Sequence, residues 1–304
     1  MPRSAFLLVL LLFPIGLAAE EPAAEEPAAK EPAAKEPAAK EPAAKDPAAS
    51  PERAKLEAER ARHLERMRKV ASSIRVLSDP KQIDSAVKLK DEPVLRYSDS
   101  TRQAQESTLW IWSGGGRPTA ILAVEYYSMG PTGPRWLYEI ASLSTQPIAA
   151  ECEGHFRWTA KAPGLKLQPL PDAPPPADKE TRRLAQMKEL RSRFTAYEKA
   201  SVEGRIELRA VATPLVRYSS PPEDLVDGAI FALASGTNPE VLLVLEAQGP
   251  KGKVAWHYAL VHMTGEAATV QLDGKEVWKQ PGDNPPAVRP SYINGYIEAK
   301  KEKE

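Results

Sequence analysis

"PVLRYSD" (Pro93–Asp99) returns, little altered, as "PLVRYSS" (Pro214–Ser220). The text around the two phrases returns as well. "STLWIWSGGGRPTAILAVEYY" (Ser107–Tyr127) lies over "GAIFALASGTNPEVLLVLEAQ" (Gly228–Gln248), and "RWLYEIASLSTQPIAAECEGHFRW" (Arg135–Trp158) over "AWHYALVHMTGEAATVQLDGKEVW" (Ala255–Trp278). Identical pairs include Arg96/Arg217, Tyr97/Tyr218, Pro118/Pro239, Glu125/Glu246, Trp136/Trp256, Tyr138/Tyr258 and Trp158/Trp278. The offset slips only between helix and first strands and again in the loop after Glu125 and Glu246, as a tandem duplication should.

Each phrase is preceded by a helical pattern. Ser50-Pro51 supplies an N-cap residue and a proline at the first helical position, and Leu56, Leu64, Met67, Val70, Ile74 and Leu77 follow as a stripe. After "PLPDAPPPAD" (Pro169–Asp178), Asp178 can cap a second helix whose stripe is Leu184, Met187, Leu190, Phe194 and Tyr197. Beyond each phrase come runs rich in Val, Ile, Leu, Tyr and Trp, joined by turns too short for parallel crossovers. "TAILAV" (Thr119–Val124) and "VLLVL" (Val241–Leu245) are apolar throughout, so both faces of their sheet must be covered. The expected fold class is therefore α+β: two tandem copies of one long helix followed by an antiparallel β-meander, paired with pseudo-twofold symmetry. The copies fall at residues 50–160 and 178–280, with a proline-rich linker at 161–177 and a tail at 281–304.

The N-terminus, "MPRSAFLLVLLLFPIGLAAE", has one arginine, an apolar run and small residues, the order of a secretory signal peptide over residues 1–19. Retention as an anchor is the alternative. The run is short for a bilayer span and is interrupted by Pro14, and no later segment is long and apolar enough to cross. Residues 20–49 repeat "EPAAK" with small variations; proline at every fifth position stops the helix that Ala, Glu and Lys would favour. That stretch reads as a semi-extended spacer, either a tether or a disordered tail without a partner. Forty-one basic residues balance forty-one acidic ones, so no global field draws the chain to nucleic acid. Cys152, the single cysteine, excludes a disulfide framework and matches Leu272, which suggests a buried apolar slot.

Chemistry is sparsely signalled. Gly114-Gly115-Gly116 precedes a strand rather than a helix and fits a hairpin turn better than a phosphate loop. Of the four histidines, His257 and His262 point to opposite faces of one strand, and His63 and His155 suit surface or packing roles. Arg96/Arg217 and Glu125/Glu246 could be two matched charged sites or charge pairs finishing each copy. The copies differ most where Trp112, Tyr126 and Tyr127 replace Leu233, Ala247 and Gln248. With Arg135, these make a candidate aromatic surface for sugar rings or a peptide; a bulkier core on that side is the alternative. The sequence implies no catalytic residue, metal or cofactor.

The phrases "LRYSD", "DGAIFALASGTNPEVLLVLEA" and "WHYAL" resemble those of uncharacterised secreted proteins of planctomycete bacteria, over roughly Ala54 to Pro281 but not the spacer. The resemblance implies an exported bacterial protein and carries no catalytic residue over. The expectation is an exported, non-enzymatic binding or scaffold protein of the cell envelope, contacting a protein or glycan. The rival is an envelope hydrolase using Glu125 or Glu246.

Overall fold

The computed structural model describes residues 51–99, 104–128, 133–200, 204–283 and 286–298. The signal-like segment, the EPAAK spacer and the last charged residues lie outside them.

The described chain opens with α1 (Pro51–Ser73) and runs through β1 (Ile74–Leu77), β2 (Leu95–Asp99), β3 (Ala104–Trp112), β4 (Ala120–Tyr127), β5 (Arg135–Ser142), β6 (Ala149–Cys152), β7 (Phe156–Thr159) and β8 (Gln168–Pro169). A second helix, α2 (Glu180–Ser192), leads to β9 (Phe194–Ala200), β10 (Gly204–Ala210) and β11 (Val216–Ser220). After one 3₁₀ turn (Pro221–Glu223) come β12 (Leu225–Ser235), β13 (Asn238–Gln248), β14 (Ala255–His262), β15 (Ala267–Leu272), β16 (Lys275–Gln280), β17 (Ala287–Arg289) and β18 (Tyr292–Glu298).

The strands form a six-stranded sheet in the order β17-β18-β5-β4-β3-β2 and a nine-stranded one in the order β16-β15-β9-β10-β12-β13-β14-β8, with β11 beside β12. A third sheet, β1-β6-β7, has three strands. The meanders β2-β3-β4-β5 and β11-β12-β13-β14 pair in the same order. In the second half β10 ties β9 to β12. The corresponding stretch of the first half makes only two isolated bridges, Leu77 to Ala86 and Leu89 to Trp112. The small sheet β1-β6-β7 therefore stays separate, whereas β9, β15 and β16 join the nine-stranded sheet.

This corrects the expected α+β class of tandem helix-plus-meander units. The protein is mostly β: among the described residues 50% lie in strands and 16% in helical conformation, with two α-helices and several sheets including a curled half-barrel. The helical stripes overran their helices. Ile74 and Leu77 belong to β1, where β-branched Ile74 and Val76 favour the extended chain, and Ser73 ends α1 by donating its hydroxyl to the Val70 carbonyl (2.7 Å). Phe194 and Tyr197 lie in β9, paired with Leu272 and Thr269 of β15. Lys179, not Asp178, is the N-cap of α2, and no side chain caps it. Part of the supposed linker forms β8, and part of the supposed tail forms β17 and β18.

Three clusters make the core. Under α1, Met67 and Ala71 pack on Trp110, Trp112, Leu122 and Trp136; Leu56, the first residue of the expected stripe, is half exposed. Under α2, Met187 and Leu190 pack on Phe231, Leu243 and Trp256. The third cluster lies between the two large sheets, where Leu109, Ile111, Ile121 and Ala141 meet Ile230, Leu242, Val244 and Val261. The continuous apolar strands are thus buried on both faces. At roughly 1.5–3 kcal/mol for each fully buried Leu, Ile or Val, that intersheet layer is a major source of stability.

Candidate functional site

The outer edges of the two meanders are closed unequally. Beside β5, strand β18 pairs over seven residues, from Tyr292 opposite Ala141 to Glu298 opposite Arg135. Beside β14, strand β8 supplies only Pro169 opposite His257 and Gln168 opposite Tyr258. A cleft of about 220 Å³ opens along the rest of β14. Its walls are Trp278 of β16, the segment 162–168, and the turn from Arg289 to Tyr292. Gly164 lets that segment lie so close: a Cβ there would sit 1.9 Å from the Ser142 carbonyl oxygen. The amides of Gly164 and Leu165 donate to the Ser144 carbonyl (3.0 Å each), and Lys161 donates to Pro290 (2.7 Å).

His262 sits at the centre of the cleft's polar wall, 6% exposed. Its Nε2 lies 3.0 Å from the Glu266 carbonyl oxygen, so Nε2–H is the donor and Nδ1 accepts from the Arg289 guanidinium. Burial, reinforced by the Arg289 cation, pushes its pKa down to about 3, so the ring is neutral at physiological pH. Arg289 also bonds Asp283 (2.7 Å) and the Pro281 carbonyl (2.7 Å), and lies 5.5 Å over the Tyr292 ring. The Tyr292 hydroxyl donates to Glu139 (2.5 Å) and accepts from Asn294 (3.0 Å). Burial and the Glu139 charge hold that phenol's pKa well above its ordinary value. Trp278 meets His262 edge-on at 5.7 Å, and Lys166 stands exposed at the rim. The cleft thus offers aromatic surface, an engaged guanidinium and one exposed ammonium.

The candidate residues read from the sequence do not assemble into one surface. Trp110 and Trp112 are both buried beneath α1, and Trp112 pairs with Ala120. Tyr127 and Arg135 are direct cross-strand partners at the other end of β4. Seven residues separate those ends, about 23 Å of strand. Tyr126 packs at a tilt between His63 (4.7 Å) and Trp136 (4.6 Å); Arg135 lies 4.0 Å over the Tyr296 ring. Cys152 fills a buried position in β6, with its Sγ 3.4 Å from Ser73 Oγ. Gly114–Gly116 turn between β3 and β4.

The matched Arg, Tyr and Glu residues sort into separate networks. Arg217 binds Asp227 through Nε (2.8 Å) and Nη2 (2.5 Å), and Arg96 binds Glu106 (3.2 Å). Glu125, 2% exposed, accepts from Tyr97 (2.8 Å) and Tyr127 (2.7 Å). Glu246, fully buried, accepts from Tyr218 (2.9 Å) and from Arg117 through two bonds of 2.8 Å. Arg117 belongs to the β3–β4 turn, so this pair fastens the six-stranded sheet to the nine-stranded one. Gly228 gives Tyr218 its place, since a Cβ there would lie 2.7 Å from the ring. The buried carboxylates Glu125, Glu139 and Glu240 also line one cavity of about 150 Å³, with Tyr127, Asn238 and Thr264.

Sequence reasoning passed over Lys166, Arg289 and Tyr292, which lie in segments it treated as linker and tail. A signal was present in "YINGYIE": Tyr292, Asn294 and Tyr296 alternate with Ile293, Gly295 and Ile297, the period of a strand.

Among the described residues no helix is long and apolar enough to cross a membrane, and no group of three or more His, Cys, Asp or Glu is placed to hold a metal ion. No family model, curated protein or solved structure matches the chain.

Proposed function

We propose that the protein is an exported, non-enzymatic binding protein of the cell envelope, and that the cleft beside β14 is where it holds its partner. The observation carrying this is the cleft's lining: the half-buried Trp278 presents aromatic surface close to the exposed Lys166, a combination suited to an anionic envelope protein or glycan. Export is supported by the signal-like N-terminus and by the resemblance to secreted planctomycete proteins. A sequence doubling is supported by the matched residues and by the shared pairing order of the two meanders.

The test is an affinity pull-down from envelope extract with residues 50–304 as bait. A partner retained by the wild type and lost with Trp278→Ala supports the reading; equal capture by both refutes the site. A second reading, an envelope hydrolase, is favoured by the convergence of Glu125, Glu139 and Glu240 on one cavity. It requires activity on an envelope ester, amide or glycoside that disappears in both Glu125→Gln and Glu139→Gln.

A further inference from the structure

We infer that the cleft takes an extended peptide carrying a carboxylate, added as a strand to the open edge of β14. This rests on the binding reading above and names the class of partner. The Leu170 amide donates to the Trp256 carbonyl on the β8 side (2.8 Å), and the Met263 amide donates to the Glu240 carbonyl on the β13 side (2.9 Å). Backbone groups alternate between the two sides of an antiparallel strand, so Tyr258, Leu260 and His262 turn theirs away from β13. Tyr258 is met by Gln168; Leu260 and His262 have no ladder partner among the described residues.

Carried on in register, β8 would set Lys166 opposite Leu260. The chain instead departs, held by the bonds of Gly164 and Leu165 to Ser144, and the space it leaves is the cleft. At about 220 Å³ the cleft falls below the ~300–1,000 Å³ typical of small-molecule pockets. It suits two or three residues of strand, for which the unpaired amides and carbonyls are ready partners. The equivalent edge of β5 already holds such a strand, β18. The charge complement is Lys166, exposed and without an ion-pair partner among the described residues, beside the guanidinium of Arg289. An arriving carboxylate would meet Lys166, while Arg289 stays paired with Asp283 behind it.

The test uses residues 50–304, labelled with ¹⁵N, and three synthetic pentapeptides: TVTVT with a free C-terminus, TVTET amide and TVTVT amide. The free-acid peptide, the glutamate peptide or both should bind at least tenfold tighter than the uncharged amide. Whichever binds tells whether a chain terminus or an acidic side chain supplies the carboxylate. Bound peptide should slow hydrogen exchange at the Leu260 and His262 amides and leave Ala259 and Val261 unchanged. Lys166→Glu, an exposed change, should weaken binding at least tenfold. Leu260→Pro removes the outward amide without removing a bond to β13, and should abolish protection at His262. No protection of these amides at millimolar peptide overturns strand addition, even if Leu260→Pro fails to fold. If Trp278→Ala loses the envelope partner while Lys166→Glu keeps it, strand addition falls and the binding reading stands.

Discussion

Replacing Arg117 by Met would strip the guanidinium from a carboxylate with no access to water. Glu246 has zero side-chain exposure, and Arg117 supplies two of the three hydrogen bonds described for it. Hydrogen bonding to Glu246 also holds the Arg117 pKa above its ordinary value. Removing one member of a buried pair destabilises by about 3–5 kcal/mol, because the remaining charge stays desolvated. The third contact of Arg117, to the half-exposed Glu223 (2.6 Å), adds less than ~1 kcal/mol. Urea unfolding of residues 50–304 at pH 7 should therefore show a loss of about 3–5 kcal/mol for Arg117→Met. The double variant Arg117→Met/Glu246→Leu should recover most of it, since an apolar pair leaves no orphaned charge. A loss below about 1 kcal/mol, or a double variant as unstable as the sum of the single ones, would refute the reasoning.

His262 predicts a pH dependence. Above pH ~6.5 the ring is neutral in both folded and unfolded chains; below it only the unfolded chain takes up the proton, so stability falls by at most about 1.4 kcal/mol per pH unit until the folded ring titrates. With the folded pKa pushed down to about 3, the loss runs from pH 6.5 toward 3, and urea unfolding at pH 7, 6, 5 and 4 should show a shallower slope for His262→Gln. Gly164→Ala cannot keep its place 1.9 Å from the Ser142 carbonyl, so the segment 162–168 must move, and the variant should lower the melting temperature and raise exchange at the Leu165 amide. Trp112→Ala should destabilise by about 3–5 kcal/mol in urea unfolding, as a large side chain removed from a packed core, whereas Tyr127→Phe, which loses one hydrogen bond to Glu125, should lose about 0.5–1.5 kcal/mol.

The sheets were legible in the sequence where burial on both faces leaves an unmistakable run, as in Thr119–Val124 and Val241–Leu245. The matched phrases also located β2 and β11 and the strands after them. The helix ends were not legible, because Phe194 and Tyr197 satisfy a helical spacing by accident. In β9 the buried residues are Phe194, Ala196 and Glu198, the alternation of a strand, and pairing with β15 decides the outcome. The fold class failed for the same reason: short stretches such as Gly204–Ala210 carry too little local signal to reveal that they extend a sheet. The cleft was hidden because its walls meet only in the folded chain. Lys166, His262, Trp278 and Arg289 come from four separate stretches, and His262 alone shows no more than a histidine at the end of a strand. Trp112 was ambiguous in the sequence, since an aromatic pair on one strand face signals a core as readily as a surface.

The account depends most on the two large sheets sharing one buried layer, because the cleft draws its walls from both. Unfolding should be followed in urea with two probes: fluorescence of a Trp256→Phe/Trp278→Phe variant, which reports Trp110, Trp112, Trp136 and Trp158, and hydrogen exchange at Leu242 to Leu245 in the same variant. Coincident midpoints for both probes are predicted. Two transitions separated along the urea axis, with one sheet native while the other is unfolded, would contradict the shared layer.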